Sequence, residues 1–255
     1  MSAEASNYNG TLPWVKVGGV ALMIAVIGSL TGSFLYPGGP IVDPVDQTNF
    51  PFAIERLGQY SGLAHITTTV VIVAMMLQSF GLFTLYNLYG SGRGFPGLAL
   101  RLGIITSIFG WGLFLVSLGM RHMVIHLMQR SMNPAEAVEL RAQMEGLALT
   151  THVEMAALLL AFIAVYPIAS VLVGIGLSAR FSRMNAYRLA GYGLVLIGVG
   201  GFINFQVAQH VVGISLDTLL ITNNLLLSVG AICLFVTGYG MFRGREEFSR
   251  HTPQN

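Results

Sequence analysis

The sequence predicts an all-α integral membrane protein: one domain spanning 1–255, built as a bundle of six transmembrane helices. Three observations carry that prediction. The 255 residues are 54% hydrophobic and only 9% charged. Several apolar runs reach about twenty residues, enough to cross a hydrocarbon core of roughly 30 Å. The runs are also continuously apolar and rich in Leu, Ala, Met and Gly, unlike the short alternating segments of a closed β-barrel. Windows of about nineteen residues place the spans near 14–36, 62–86, 98–120, 151–176, 187–209 and 218–241.

The first span follows a polar segment with only Lys16 nearby. It is long for a signal-peptide core, and no small-residue cleavage site precedes the turn from Pro37 to Pro40, so it is expected to be retained. Its Gly28 and Gly32 form a GxxxG pair, which permits close packing within the bundle or between protomers. Residues 37–59, "PGGPIVDPVDQTNFPFAIERLGQ", are too polar to span and rich in Pro and Gly, which predicts an irregular cap over the bundle.

The second span opens in "GLAHITTTVVIVAMM" with His65, and the third begins at Arg101 and runs into "GMRHMVIHLMQRSM". The loop 130–148 is expected to be partly helical, with Asn133 as cap, Pro134 at the first position and Glu136 completing a capping box. The fourth span opens in "ALTTHVEMAALLLAF", the fifth closes in "GFINFQVAQHVV", and the sixth carries Asn223 and Asn224 two turns below Asp217. The loops "NLYGSGRGFPG" and "SARFSRMNAYR" look like short turns with basic anchors. The single cysteine, Cys233, lies in the last span, so no internal disulfide is possible.

An even number of spans puts both termini on one side. That side holds Lys16, Arg93, Arg101, Arg180, Arg183, Arg188, Arg243, Arg245 and Arg250, against Arg56, Arg121, Arg130 and Arg141 on the other. The positive-inside rule therefore predicts cytoplasmic termini in a multi-pass protein of the inner (plasma) membrane. The formal net charge is only +2 and the basic residues are scattered among loops, so nucleic acid is not an expected partner. Lipid is, and a homo-oligomer or a larger membrane complex is compatible with the composition.

An internal repeat is visible. His65 and His152 lie 87 residues apart, as do Arg101-Leu102 and Arg188-Leu189, and "MRH" at 120–122 matches "AQH" at 208–210. A duplicated helical hairpin, about 60–126 and 147–213 (spans 2–3 and 4–5), accounts for these offsets economically.

The topology places His65, His122, His126, His152 and His210 all at the extracytoplasmic end, while His251 sits in the polar tail. A single interfacial histidine ordinarily bonds water, headgroups or loop backbone. Five at one level, with Glu154 two residues beyond His152 inside an apolar run, instead point to a shared site, because intramembrane ionisable groups are costly and face a bundle interior.

Haem b is the first cofactor such a site implies, since imidazoles from facing helices can grip its iron. His65 with His152, or His122 with His210, are the pairs that the repeat makes equivalent, and one level of histidines suits one haem or two side by side. Copper is the alternative: Met120, Met123, Met128 and Met132 surround His122 and His126, and thioether plus imidazole suits Cu(I). A zinc or dinuclear site using Glu154 and Glu145 is a lesser one, without a strong motif behind it. Glu154 and Asn204 are the candidate catalytic groups.

The runs "LAHITTTVVIVAMM" and "TTHVEMAALLLAFIA", in which a histidine starts an apolar span, resemble the haem-binding helix of the membrane-bound styrene oxide isomerases. The resemblance covers little more than one helix. It implies haem b held by His65 or His152, and an isomerase that opens an epoxide. That family places a substrate-holding asparagine six residues after the ligand, where this chain has Val71 and Leu158, so the resemblance reaches haem binding and not the isomerisation itself.

Three function classes follow. One is an enzyme, isomerase or oxidoreductase, acting on a small apolar molecule at a haem or metal pocket under the 37–59 cap. Another is a haem-bearing electron-transfer or accessory subunit. The third is a small-solute transporter without cofactor, for which helices broken near the midplane are expected.

Overall fold

The fold is described from a computed structural model, over residues 13–89, 94–211, 213 and 215–248. Six long helices are apolar enough to cross a membrane, and one short helix caps them: α1 (Pro13–Leu35), α2 (Phe50–Gln59), α3 (Ser61–Phe83), α4 (Gly94–Ser131), α5 (Val138–Ser178), α6 (Ala186–His210) and α7 (Leu216–Phe242). No strand is formed among the described residues. The protein is thus an all-helical, multi-pass membrane bundle.

Each long helix packs on two others, in the cyclic order α1, α3, α4, α5, α6, α7 and back to α1. The interior is filled by one apolar core that takes Leu22, Met75, Ile104, Trp111, Phe162, Tyr166, Leu194 and Leu234 from all six. Glycines let the rods approach. A Cβ at Gly19 of α1 would lie 2.5 Å from the Gly238 carbonyl of α7, and one at Gly174 of α5 would lie 2.5 Å from the Gly191 carbonyl of α6. The Gly28–Gly32 pair faces α3, where a Cβ at Gly32 would meet Val71 at 2.5 Å. The GxxxG pair therefore serves packing within the bundle.

The spans lie where hydropathy places them, but two helices run far past the predicted ends. α4 has 38 residues and α5 has 41, so at 1.5 Å per residue they are about 57 and 61 Å long, well beyond a bilayer core. Their hairpin projects at the cap end, opposite the described chain ends. There α2 packs on α4, α5 and α3 and completes a second apolar core of Ile54, Leu57, Ala64, Val124, Ile125, Leu127, Met128 and Ala148.

Two local expectations are corrected. The 37–59 segment is irregular only as far as Asn49. From Phe50 it is the amphipathic α2, which buries Ala53, Ile54, Leu57 and Gly58 on one face and has Pro51 in its first turn, where the missing N–H is not needed. The Asn133 capping box does not form either. Asn133 accepts from the Ala135 N–H in a turn, Glu136 pairs with Arg130 at 3.3 Å, and α5 begins at Val138 with no side-chain cap. Arg130 competes for the Glu136 carboxylate, and an exposed turn satisfies Asn133 locally.

Near the other end, Phe181, Tyr187 and Phe248 form an aromatic knot, and Arg180 donates to the Glu247 carbonyl at 2.6 Å. This fixes the segment after α7 against the turn before α6.

Candidate functional site

A polar layer separates the two apolar cores. The large core ends near Leu118 of α4, and the second begins at Val124. Between them α4 carries Arg121 and His122. Ser117 donates to the Met155 carbonyl of α5 at 3.3 Å, and the helices are antiparallel, so one turn further Arg121 stands level with Thr151 and His152.

His65, at the start of α3, meets His122 directly. Their Nδ1 atoms are 2.8 Å apart, and the rings lie edge to edge and nearly coplanar, with centroids 5.0 Å apart and 15° between planes. One Nδ1 must donate and the other accept. The pair is therefore neutral with one Nδ1–H tautomer, or carries a single proton charge shared between rings. Both Nε2 atoms stay available to a third group.

His152 is 5% exposed, its Nδ1 is buried without a hydrogen-bond partner, and the edge of its ring meets Phe50 of α2 at 5.2 Å between centroids. The guanidinium of Arg121 lies over the Tyr36 ring at 5.1 Å, its Nε is buried without a hydrogen-bond partner, and its charge acts on Tyr36, His122 and His152 alike. Burial pushes the Tyr36 hydroxyl above its ordinary value, against the opposite pull of Arg121. The phenol is accordingly neutral near pH 7.

Tyr36 is held by the turn after α1. Its carbonyl accepts from the Gly39 N–H at 3.0 Å, and its ring fills the space a Cβ at Gly39 would need. Gly38 has φ +79°, a left-handed conformation that glycine adopts without steric cost. Arg56 of α2 pairs with Asp43 at 3.1 Å, which ties the cap to the same turn.

Of the predicted site residues, the structure brings together His65 and His122 and places His152 in the same layer. The other two histidines lie outside it. His126 and His210 are exposed, and α5 stands between α4 and α6. Glu154 is also exposed: two residues beyond His152 is some 200° around a helix, which turns the carboxylate away from the layer. Glu145 is exposed on α5 above it. Asn204 donates to the Leu219 carbonyl of α7 at 3.1 Å and so joins two helices. Among the described residues no group of three or more His, Cys, Asp or Glu is placed to hold a metal ion.

Of the methionines expected around a copper site, Met128 and Met132 pack beneath Gly58 of α2, Met128 is in the second core, and Met123 is exposed. The haem expectation meets a different geometry. His65 pairs through Nδ1 with His122 of the same hairpin, whereas the repeat makes His65 equivalent to His152 and His122 to His210.

Sequence reasoning missed Arg121, Tyr36 and Phe50. Arg121 was legible as a charge just before His122 at the end of an apolar run, but positive-inside counting absorbed it as a topology marker. Tyr36 and Phe50 come from turn and cap segments with no periodic signal. Beside Phe50 an open cavity of about 500 Å³ is lined by Asp46, Thr48, Asn49, Pro51, Leu149 and Val153 as well. Phe50 thus stands between that cavity and His152. Diethyl pyrocarbonate should modify the exposed His126 and His210 readily and His152 slowly, and Phe50→Ala should raise the His152 rate several-fold. Mass-spectrometric mapping checks this, and an unchanged His152 rate would remove Phe50 as a barrier. Compared with family profiles, curated proteins and solved structures, the chain matches none.

Proposed function

We propose that the polar layer is the working site of this membrane protein: it binds a small, largely apolar molecule and exchanges a proton with it through the His65–His122 pair. The observation that carries this reading is the presence of two buried nitrogens without partners, Arg121 Nε and His152 Nδ1, in one layer beside a hydrogen-bonded imidazole pair. A buried polar group left unsatisfied costs about 1–3 kcal/mol. Retaining two of them in a bundle that is otherwise close-packed favours a ligand that supplies the missing contacts.

The chemistry follows from the groups. Arg121 supplies a fixed positive charge, His152 a neutral imidazole walled by Phe50, and Tyr36 a neutral phenol. The His65–His122 pair holds one proton between two rings and can pass it outward through either Nε2. The second core and α2 cover the layer, which limits water and strengthens each electrostatic contact. The charge asymmetry of the loops supports cytoplasmic termini, with the cap end outside the cytoplasm. The long helices continue unbroken through the bundle, which lends no support to transport at a midplane break.

Organic extracts of the purified protein, compared by mass spectrometry, test the reading. Wild-type protein should carry a small molecule that His152→Phe and His65→Leu variants lose while remaining folded. Identical small-molecule content in all three would sink it. A second reading, haem held by the one free imidazole, draws on the unpartnered Nδ1 of His152. It requires a Soret band that weakens in His152→Ala.

A further inference from the structure

Arg56 pairs with Asp43 and Arg130 with Glu136, whereas Arg121 has no ion-pair partner among the described residues. Arg121 has instead the Tyr36 ring below its guanidinium and a buried, unpartnered Nε. Cation–π contact offsets only part of the desolvation of a charge. At the same height His152, 5% exposed, also has a nitrogen without a partner.

We propose that the polar layer binds one monocarboxylate with an apolar tail, an organic acid dissolved in the bilayer, its oxygens on the Nε–H edge of Arg121 and on the Nδ1–H of His152. This rests on the polar layer being the working site. Each part of the ligand answers a feature of the layer. The anion answers Arg121, since a neutral ketone or alcohol would leave the guanidinium charge unbalanced and a cation would be repelled. A single negative charge matches a single fixed positive one.

Two coplanar oxygens match the edge of a guanidinium, and the second oxygen finds His152, whose Nδ1 then carries the proton of its neutral form. A phosphodiester offers the same pair of oxygens but has two ester arms to lead out. Above the layer lies the closed second core, and Phe50 sits against His152. A carboxylate ends one chain and needs one way out. The apolar tail answers the surroundings, because the helices flanking the layer present Ile66 at 63% and Val153 at 46% exposure on their outer faces, toward lipid.

The full chain, freed of lipid in maltoside micelles, is the test material. Its thermal unfolding is followed by intrinsic fluorescence with decanoate, decanol, propionate or dioctanoyl phosphatidylglycerol added. Decanoate should raise the midpoint by several degrees, decanol and the phospholipid should not, and Arg121→Gln should abolish the rise while Arg121→Lys keeps part of it.

A second measurement needs no variant. The carboxyl resonance of [1-13C]decanoate bound to wild-type protein should titrate at least one pH unit lower than in empty micelles, a tenfold fall in proton affinity. A bound carboxyl that titrates as in empty micelles would overturn the proposal, as would decanol or the phospholipid stabilising through Arg121 in place of decanoate. Equal stabilisation by propionate would overturn the apolar tail and assign a water-borne acid. In those cases the small molecule extracted from wild-type protein still identifies the layer as a working site. If that extract also matches the variants, both readings fall.

Discussion

Gly174→Val should lower the stability of the bundle markedly. A Cβ at Gly174 would sit 2.5 Å from the Gly191 carbonyl and 2.8 Å from the Val195 N–H, both backbone groups of α6 that cannot move aside alone. The same seam holds Gly198, whose Cβ would lie 2.5 Å from the Pro167 carbonyl, so α5 and α6 touch backbone to backbone along about two turns. Overpacking of a well-packed core costs about 1–3 kcal/mol and occasionally more. Here, with no flexible side chain to yield, the upper end is expected, about 3 kcal/mol. Fluorescence-detected size exclusion after mild heating measures it, and a midpoint within two degrees of wild type, roughly 1 kcal/mol or less, would mean that the helices separate without the expected penalty. Gly112→Ala is the control, because nothing lies within 4 Å of that position.

The second large effect concerns the imidazole pair. His65→Leu and His122→Leu each leave the other ring half-buried with its Nδ1 unsatisfied, at an expected cost of about 1–3 kcal/mol. The double variant removes both polar groups and should cost less than the sum of the two. A coupling of about 1 kcal/mol or more, within the 0.5–3 kcal/mol seen for contacting residues, confirms direct contact. Additive losses would mean that the two rings do not interact. The same cycle separates structure from function: the double variant, if stable, should still lose the extracted small molecule.

Much of the fold was legible in the amino-acid sequence, because hydropathy over nineteen residues responds to the one constraint a bilayer imposes: four long helices cover their predicted spans, and α1 and α3 end one and three residues short of theirs. What hydropathy could not see was α2 and the length of the α4–α5 hairpin. Ile54 and Leu57 are too few for a spanning signal, and the second core they build with Val124 and Met128 lies outside the stretch that the hydropathy windows mark.

The site was half legible. Topology alone brought His65, His122 and His152 to one end, since it fixes height along each rod. It does not fix rotation, and rotation decided the rest. Glu154 faces away although it is only two residues from His152, and His126 is exposed although it lies a single turn from His122. Arg121 belongs to the site because Tyr36 and His152, both distant in sequence, lie around it.

The circle of helices has no margin. Because α1 packs on α7 as well as on α3, the first rod inserted keeps one flank vacant until the last arrives, and a chain stopped before Leu216 leaves two seams facing lipid, one on α1 and one on α6. α7 therefore closes both flanks at once. A permuted chain, joined across the meeting point of α1 and α7 and cut between α5 and α6, would describe the same loop.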